Sequence, residues 1–191
     1  ADGPGALHRQ LRGQVRHPGG GLRGPVHDHQ VPAAAPARAR PLPDLLGGEP
    51  PARLGGAADV VLVDVDGTLA KMNGRSPYQW DRVGEDAPIE PILRLVETLR
   101  NQGLQIICVS GRDGSCERET ERWLKTHAMK RLSEPLLMRA AGDMRKDSIV
   151  KREIYEREIL GQYNVVWALD DRDQVVEMWR NLGLTCLQVA P

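Results

Sequence analysis

The chain contains no phenylalanine, and its aromatic side chains come to four tryptophans and three tyrosines. Any core must therefore be built mainly from aliphatic residues. No apolar run approaches the roughly 18 residues that a bilayer-spanning helix needs, and no signal segment is visible, so the expectation is a soluble, cytoplasmic chain without membrane contact. There is no excess charge of either sign, since 26 Lys and Arg balance 26 Asp and Glu. That excludes a whole-molecule electrostatic coat for nucleic acid, and any polyanion must be bound by a local cluster. Cysteine is scarce as well. Cys108, Cys116 and Cys186 lie in or beside apolar runs without metal-ligand spacing, which fits reduced structural thiols better than a disulfide framework.

The deepest deficit lies in residues 1–56. Lys, Ile, Met, Ser, Thr, Asn, Phe, Tyr and Trp are all absent there, while Gly, Pro, Ala and Arg dominate. A stretch of that composition has little means of burying apolar surface, and the expectation is a disordered tail or linker. A fragment boundary is the alternative, as is contact between its scattered arginines and nucleic acid.

What is present starts at Asp59-Val-Val-Leu-Val-Asp-Val-Asp-Gly-Thr-Leu-Ala70. The apolar run Val60–Val63 suits a strand buried on both faces of a parallel sheet. Strand alternation would aim Asp64, Asp66 and, if the extension persists, Thr68 to one side of the sheet's carboxyl edge, where open α/β sheets bind ligands. Two desolvated carboxylates so close repel each other, and a hard cation such as Mg²⁺ would relieve them. Residues 71–86 carry Gly74, Pro77 and Gly84 without a sustained period, which predicts a loop or short hairpin over that edge. Apolar residues at helical spacing from Ile92 to Leu99 then predict a first helix, and Leu104–Val109 a second strand ending in Ser110-Gly111-Arg112. Further helices are expected around residues 116–127, 148–160 and 174–182. Further strands are expected at 136–138, 165–169 and 185–189. The alternation predicts a parallel, Rossmann-like sheet of about five strands with helices on both faces.

In this layout Asp64, Ser110 and Asp170-Asp171 each stand where an apolar strand stops. The order Asp-x-Asp-Gly-Thr, strand-Ser, helix-Lys, strand-Asp-Asp resembles the haloacid-dehalogenase-like phosphohydrolases, over Asp59 to Pro191. The resemblance implies roles. Asp64 would be the nucleophile and Asp66 the general acid and base; Thr68 and Ser110 would donate hydroxyls to phosphoryl oxygens, and Lys151 would supply a compact positive charge. Asp64, Asp66 through its carbonyl, Asp170 and Asp171 would hold Mg²⁺. A calcium loop is a poor alternative, because its fifth, sixth and twelfth positions would be Thr68, Leu69 and Arg75. Lys146 competes with Lys151, but Lys151 lies one helical turn from Asp147 and would share its face.

Three longer strings narrow the resemblance: Lys71-Met-Asn-Gly-Arg-Ser-Pro-Tyr78, Gly142-Asp-Met-Arg-Lys-Asp147 with Val150-Lys151, and Asp170-Asp-Arg-Asp-Gln-Val-Val-Glu-Met-Trp179. They are similar to the 3′-phosphatase domain of bacteriophage-type polynucleotide kinase/phosphatase. That similarity implies that Arg75, Arg112 and Asp147 are also needed at the site. The arginines would take phosphate oxygens from flanking loops, and Asp147 would orient an arginine or Lys151. Either arginine as a surface charge, and Asp147 as a plain N-cap, are the alternatives. No Gly-x-x-x-x-Gly-Lys-Ser/Thr run occurs, so a 5′-kinase would have to reside elsewhere. No segment is long enough for a large cap domain. The expected function is Mg²⁺-dependent removal of 3′-terminal phosphate from DNA or RNA ends in repair. A nucleotidase or small-metabolite phosphatase of the same fold, or a non-catalytic nucleic-acid end binder, are the competing readings.

Overall fold

A computed structural model describes residues 51–128 and 135–189. The tail expected over residues 1–56 falls outside them up to residue 50. In chain order the elements are β1 (Asp59–Val63), β2 (Ala70–Lys71), a 3-10 helix (Trp80–Glu85), β3 (Ala87–Pro88), α1 (Glu90–Asn101), β4 (Gln105–Asp113) and α2 (Glu117–His127). They continue through β5 (Leu136–Arg139), α3 (Asp147–Ile154) with a π turn (Tyr155–Ile159), β6 (Asn164–Asp170), α4 (Asp173–Asn181) and β7 (Cys186–Gln188). The main sheet runs β5-β4-β1-β6-β7 with every neighbouring pair parallel. The expected α/β architecture is present, and no large cap domain is seen among the described residues.

Alternation along β1 splits the core in two. Val60 and Leu62 face one side, with Ile107 and Val109 of β4, and pack under Val150, Ile154, Val176 and Trp179 of α3 and α4. Val61 and Val63 face the other, under Leu93, Val96 and Leu99 of α1 and Trp123 and Leu124 of α2. A strand sandwiched in this way must be apolar at every position, which is why Val60–Val63 shows no period of two. Trp179 meets Tyr155 edge-on with ring centroids 5.8 Å apart, so two of the few aromatic side chains close one layer.

The segment over residues 71–86, expected as a loop or short hairpin, closes at its ends as a hairpin. Its ends pair as the antiparallel ladder of β2 and β3, with Ala70 opposite Pro88 and Lys71 opposite Ala87, and the 3-10 helix lies between. Arg53 forms an ion pair with Asp59 at 2.6 Å, and Leu54 donates its N–H to Asn164 Oδ1 at 2.7 Å, so ordered contacts reach back before residue 57.

Candidate active site

Asp64 directly follows β1 and is fixed by its own N–H, which donates to Leu169 O of β6 at 2.9 Å. The chain then turns sharply. Val65 O accepts from Leu69 N at 2.9 Å and from Ala70 N at 2.8 Å, and Gly67 takes φ 83°. A side chain at Gly67 would be strained by that backbone, and its Cβ would lie 2.1 Å from Asp171 Oδ2. Glycine here lets Asp171 close in. Thr68 therefore sits within this turn and not on an extension of the strand; its Oγ1 is buried without a hydrogen-bond partner. Ser110, also buried, accepts from Arg112 N at 3.2 Å.

Lys151 stands at the centre of the acidic residues. Its Nζ lies 2.7 Å from Asp64 Oδ1, 2.8 Å from Asp170 Oδ2 and 3.6 Å from Asp147 Oδ2. Burial works against the ammonium, but Asp64, Asp170 and Asp147 outweigh it and hold the Lys151 pKa above its ordinary value. Burial pushes the Asp64 carboxyl well up despite Lys151, and Asp170 adds to the rise. Asp171 is raised by burial and by Asp170. Oxygens of Asp64, Asp170 and Asp171 lie within 4.8 Å of one another, and Asp171 Oδ1 is buried with no partner. A cluster of three carboxylates served by one lysine, with one buried carboxylate oxygen left unpartnered, has the hard-oxygen donor set that suits Mg²⁺. Asp147 opens α3 as its first residue, with Lys146 as the N-cap. Asp147 is not the cap, and Gly111 leaves room for it, because a Cβ at Gly111 would lie 2.1 Å from Asp147 Oδ1.

Asp66 belongs to a second charged network. Its Oδ1 accepts from Arg75 Nη2 at 3.0 Å and from Arg112 Nη2 at 2.7 Å, and its Oδ2 from Arg112 Nε at 2.9 Å. Asp86 closes the ring: Arg75 binds it through Nε and Nη2, both at 2.7 Å, and Arg112 Nη2 reaches it at 2.6 Å. Trp123 Nε1 in turn donates to Asp86 O at 2.7 Å. Two guanidinium forks and two carboxylates satisfy each other with little water. Both arginines are buried, at 7% and 1% exposure, so neither is a surface charge. Arg112 is part of β4, which runs on to Asp113, whereas Arg75 lies on the loop after β2, and both forks face Asp66 and Asp86.

Asp64, Asp66 and Asp147 line one cleft of about 280 Å³. A family model for the polynucleotide kinase PNKP phosphatase domain matches residues 58–191. The chain belongs to this family. Membership makes it a phosphomonoesterase of haloacid-dehalogenase type. A putative bifunctional polynucleotide kinase/RNA ligase of Autographa californica nuclear polyhedrosis virus is 37% identical over 126 residues, covering 65% of this chain and 18% of that relative. One solved structure of a Pnkp1/Rnl/Hen1 complex has a chain with TM-score 0.67 and 39% identity, covering 71% of this chain and 47% of that one. A second, of the Pnkp1/Rnl/Hen1 RNA repair complex, gives TM-score 0.69 and 36% identity over 77% of this chain and 46% of that one. The chain thus spans about a fifth of the viral relative and under half of the solved chains.

Within this PNKP-type site the structure adds residues that the sequence reading did not single out. Arg139 ends β5 and donates to Gly111 O at 2.8 Å, Asp143 O at 2.8 Å, Arg145 O at 2.6 Å and Asp147 Oδ1 at 3.2 Å. It fixes the segment from Asp143 to Asp147 against the end of β4. Arg139, Arg145, Lys146 and Arg172 all line the cleft. The rule that found Asp64 and Asp170, polar residues where a strand stops, applies equally to Arg139. Asp86 carried no such signal, because it lies in a segment without period.

Proposed function

We propose that this domain removes the terminal 3′-phosphate from nucleic-acid ends, with Mg²⁺ as its metal. The observation that carries the reading is the pairing of the Asp64–Lys151–Asp170 cluster with a separately braced Asp66 at one cleft. Asp64 attacks phosphorus and forms an aspartyl-phosphate, while Asp66 protonates the departing 3′ oxygen. Asp66 then takes a proton from the water that hydrolyses the acyl phosphate, regenerating Asp64. Lys151 offsets charge on the transferring group, and the Thr68 and Ser110 hydroxyls donate to its oxygens. Arg75 and Arg112 hold Asp66 in position and Asp147 holds Lys151, roles that act through a neighbour. Asp64, Asp170 and Asp171, with the Asp66 carbonyl, would hold the Mg²⁺, which supplies positive charge against the substrate dianion.

Several features support a polymeric substrate. No large cap covers the cleft among the described residues, and four cationic side chains line it, which suits phosphodiesters beyond the scissile phosphate. The relatives, an RNA ligase fusion and members of an RNA repair complex, make RNA ends the first substrate to try and a kinase or ligase the expected companion. The test compares a 3′-phosphorylated oligonucleotide, its 5′-phosphorylated isomer and a 3′-mononucleotide, with and without Mg²⁺. Release from the 3′-phosphorylated oligonucleotide alone, dependent on Mg²⁺ and reduced at least a thousandfold in Asp64→Asn, is expected. Equal turnover of the mononucleotide would move the assignment to a nucleotidase.

A further inference from the structure

Seven large hydrophobic side chains are exposed among the described residues, and three of them, Met72 at 37%, Tyr78 at 73% and Met144 at 81%, line the active-site cleft. Solvent-facing apolar groups gathered at one mouth mark a binding surface. Tyr78 is held edge-on by Trp80, with ring centroids 6.4 Å apart at 82°, and Pro77 and Trp80 line the same wall. The T-shaped contact steadies the tyrosine plane, and at 73% exposure most of the ring is open to solvent. The segment is tied down nearby: Ser76 N donates to Gln79 Oε1 at 2.7 Å, and Arg75 is locked to Asp86. Across the cleft, Arg145 is spent on Asp143 and Glu153, whereas Lys146 has no ion-pair partner among the described residues. The cleft therefore offers an aromatic and thioether wall beside free positive charge, above a nucleophile for phosphorus.

We propose that Tyr78, steadied by Trp80, is the stacking platform for the base of the terminal nucleotide, with Met72 and Met144 closing on the same base. This rests on the functional reading above and deepens it, since it makes the site one for a nucleotide and not for any phosphomonoester. A flat π-face fits any base, so the contact selects for the presence of a base and not for its identity. Base stacking on an aromatic side chain corresponds to about 5- to 150-fold in affinity.

The test uses the full chain with Mg²⁺ and two oligonucleotides carrying a 3′-phosphate, one ending in a normal nucleoside and one in an abasic residue. The ratio of their kcat/KM values is the readout. The wild type is expected to favour the base-bearing end at least 5-fold, chiefly through KM; Tyr78→Ala brings the ratio near one and Tyr78→Phe restores it. A ratio near one in the wild type, or a ratio unaltered by Tyr78→Ala, overturns the stacking role while phosphate release upholds the functional reading. No release from either end overturns both.

Discussion

At the scale of single residues, the site sets buried charges against each other, three carboxylates around one lysine. Lys151 answers Asp64 and Asp170 directly and Asp147 at longer range. Its removal leaves carboxylates stranded at low dielectric, and breaking a buried pair on one side costs about 3–5 kcal/mol. Lys151→Met is therefore expected to lose that much stability in urea unfolding without divalent ions, and to recover part of it when Mg²⁺ is added. An equal loss under both conditions would mean that the carboxylates do not share a metal. Asp64, Asp170 and Asp171 stood out in the sequence because each sits at or just past the end of an apolar strand, whereas Lys151 stood out by its place one helical turn after Asp147. The direction of Arg75 and Arg112 was not. A guanidinium can serve a phosphate or a carboxylate equally well, and only the fold brings Asp86 within 2.7 Å of one and 2.6 Å of the other.

At the scale of elements, strand tips and the turns after them do the positioning. Asp113, the last residue of β4, accepts from Ser115 N at 2.9 Å and from Gly142 N at 2.7 Å, joining the start of α2 to the turn before α3. The bonds from Ser115 and then Gly142 hold its carboxyl below the usual carboxylate range. A depressed folded-state pKa gives stability that is present above the unfolded value, about 4, and lost as pH falls. Asp113→Asn should thus flatten the acid limb of the wild type's melting temperature below about pH 4; an unchanged slope would remove Asp113 from that role. The helices and strands after residue 57 could be read because long apolar runs and 3.6-residue periods leave few alternatives. The register of β2 against β3, the extension of β4 through Arg112 and the π turn after α3 could not, since each depends on a tertiary partner absent from any local window.

At the scale of the whole molecule, the sheet is a partition with the chemistry along its upper rim. Because the metal would bind the folded chain and not the unfolded one, Mg²⁺ at a hundred times its Kd should add about 2.7 kcal/mol. The expected readout is a melting temperature that climbs with Mg²⁺ concentration in the wild type and stays flat in Asp171→Ala; a flat wild-type curve would argue against the site. The two charged networks also sit against different helices. Lys151 comes from α3 and reaches Asp170 beside Trp179 of α4, whereas the Asp66 ring leans through Asp86 and Arg112 on Trp123 and Thr120 of α2. With the roles proposed for Asp64 and Asp66, capture of phosphorus and delivery of protons would thus be anchored in opposite hydrophobic layers. Wear in the layer beneath α2 would leave an enzyme still able to accept a phosphoryl group from an activated ester yet slow to let it go.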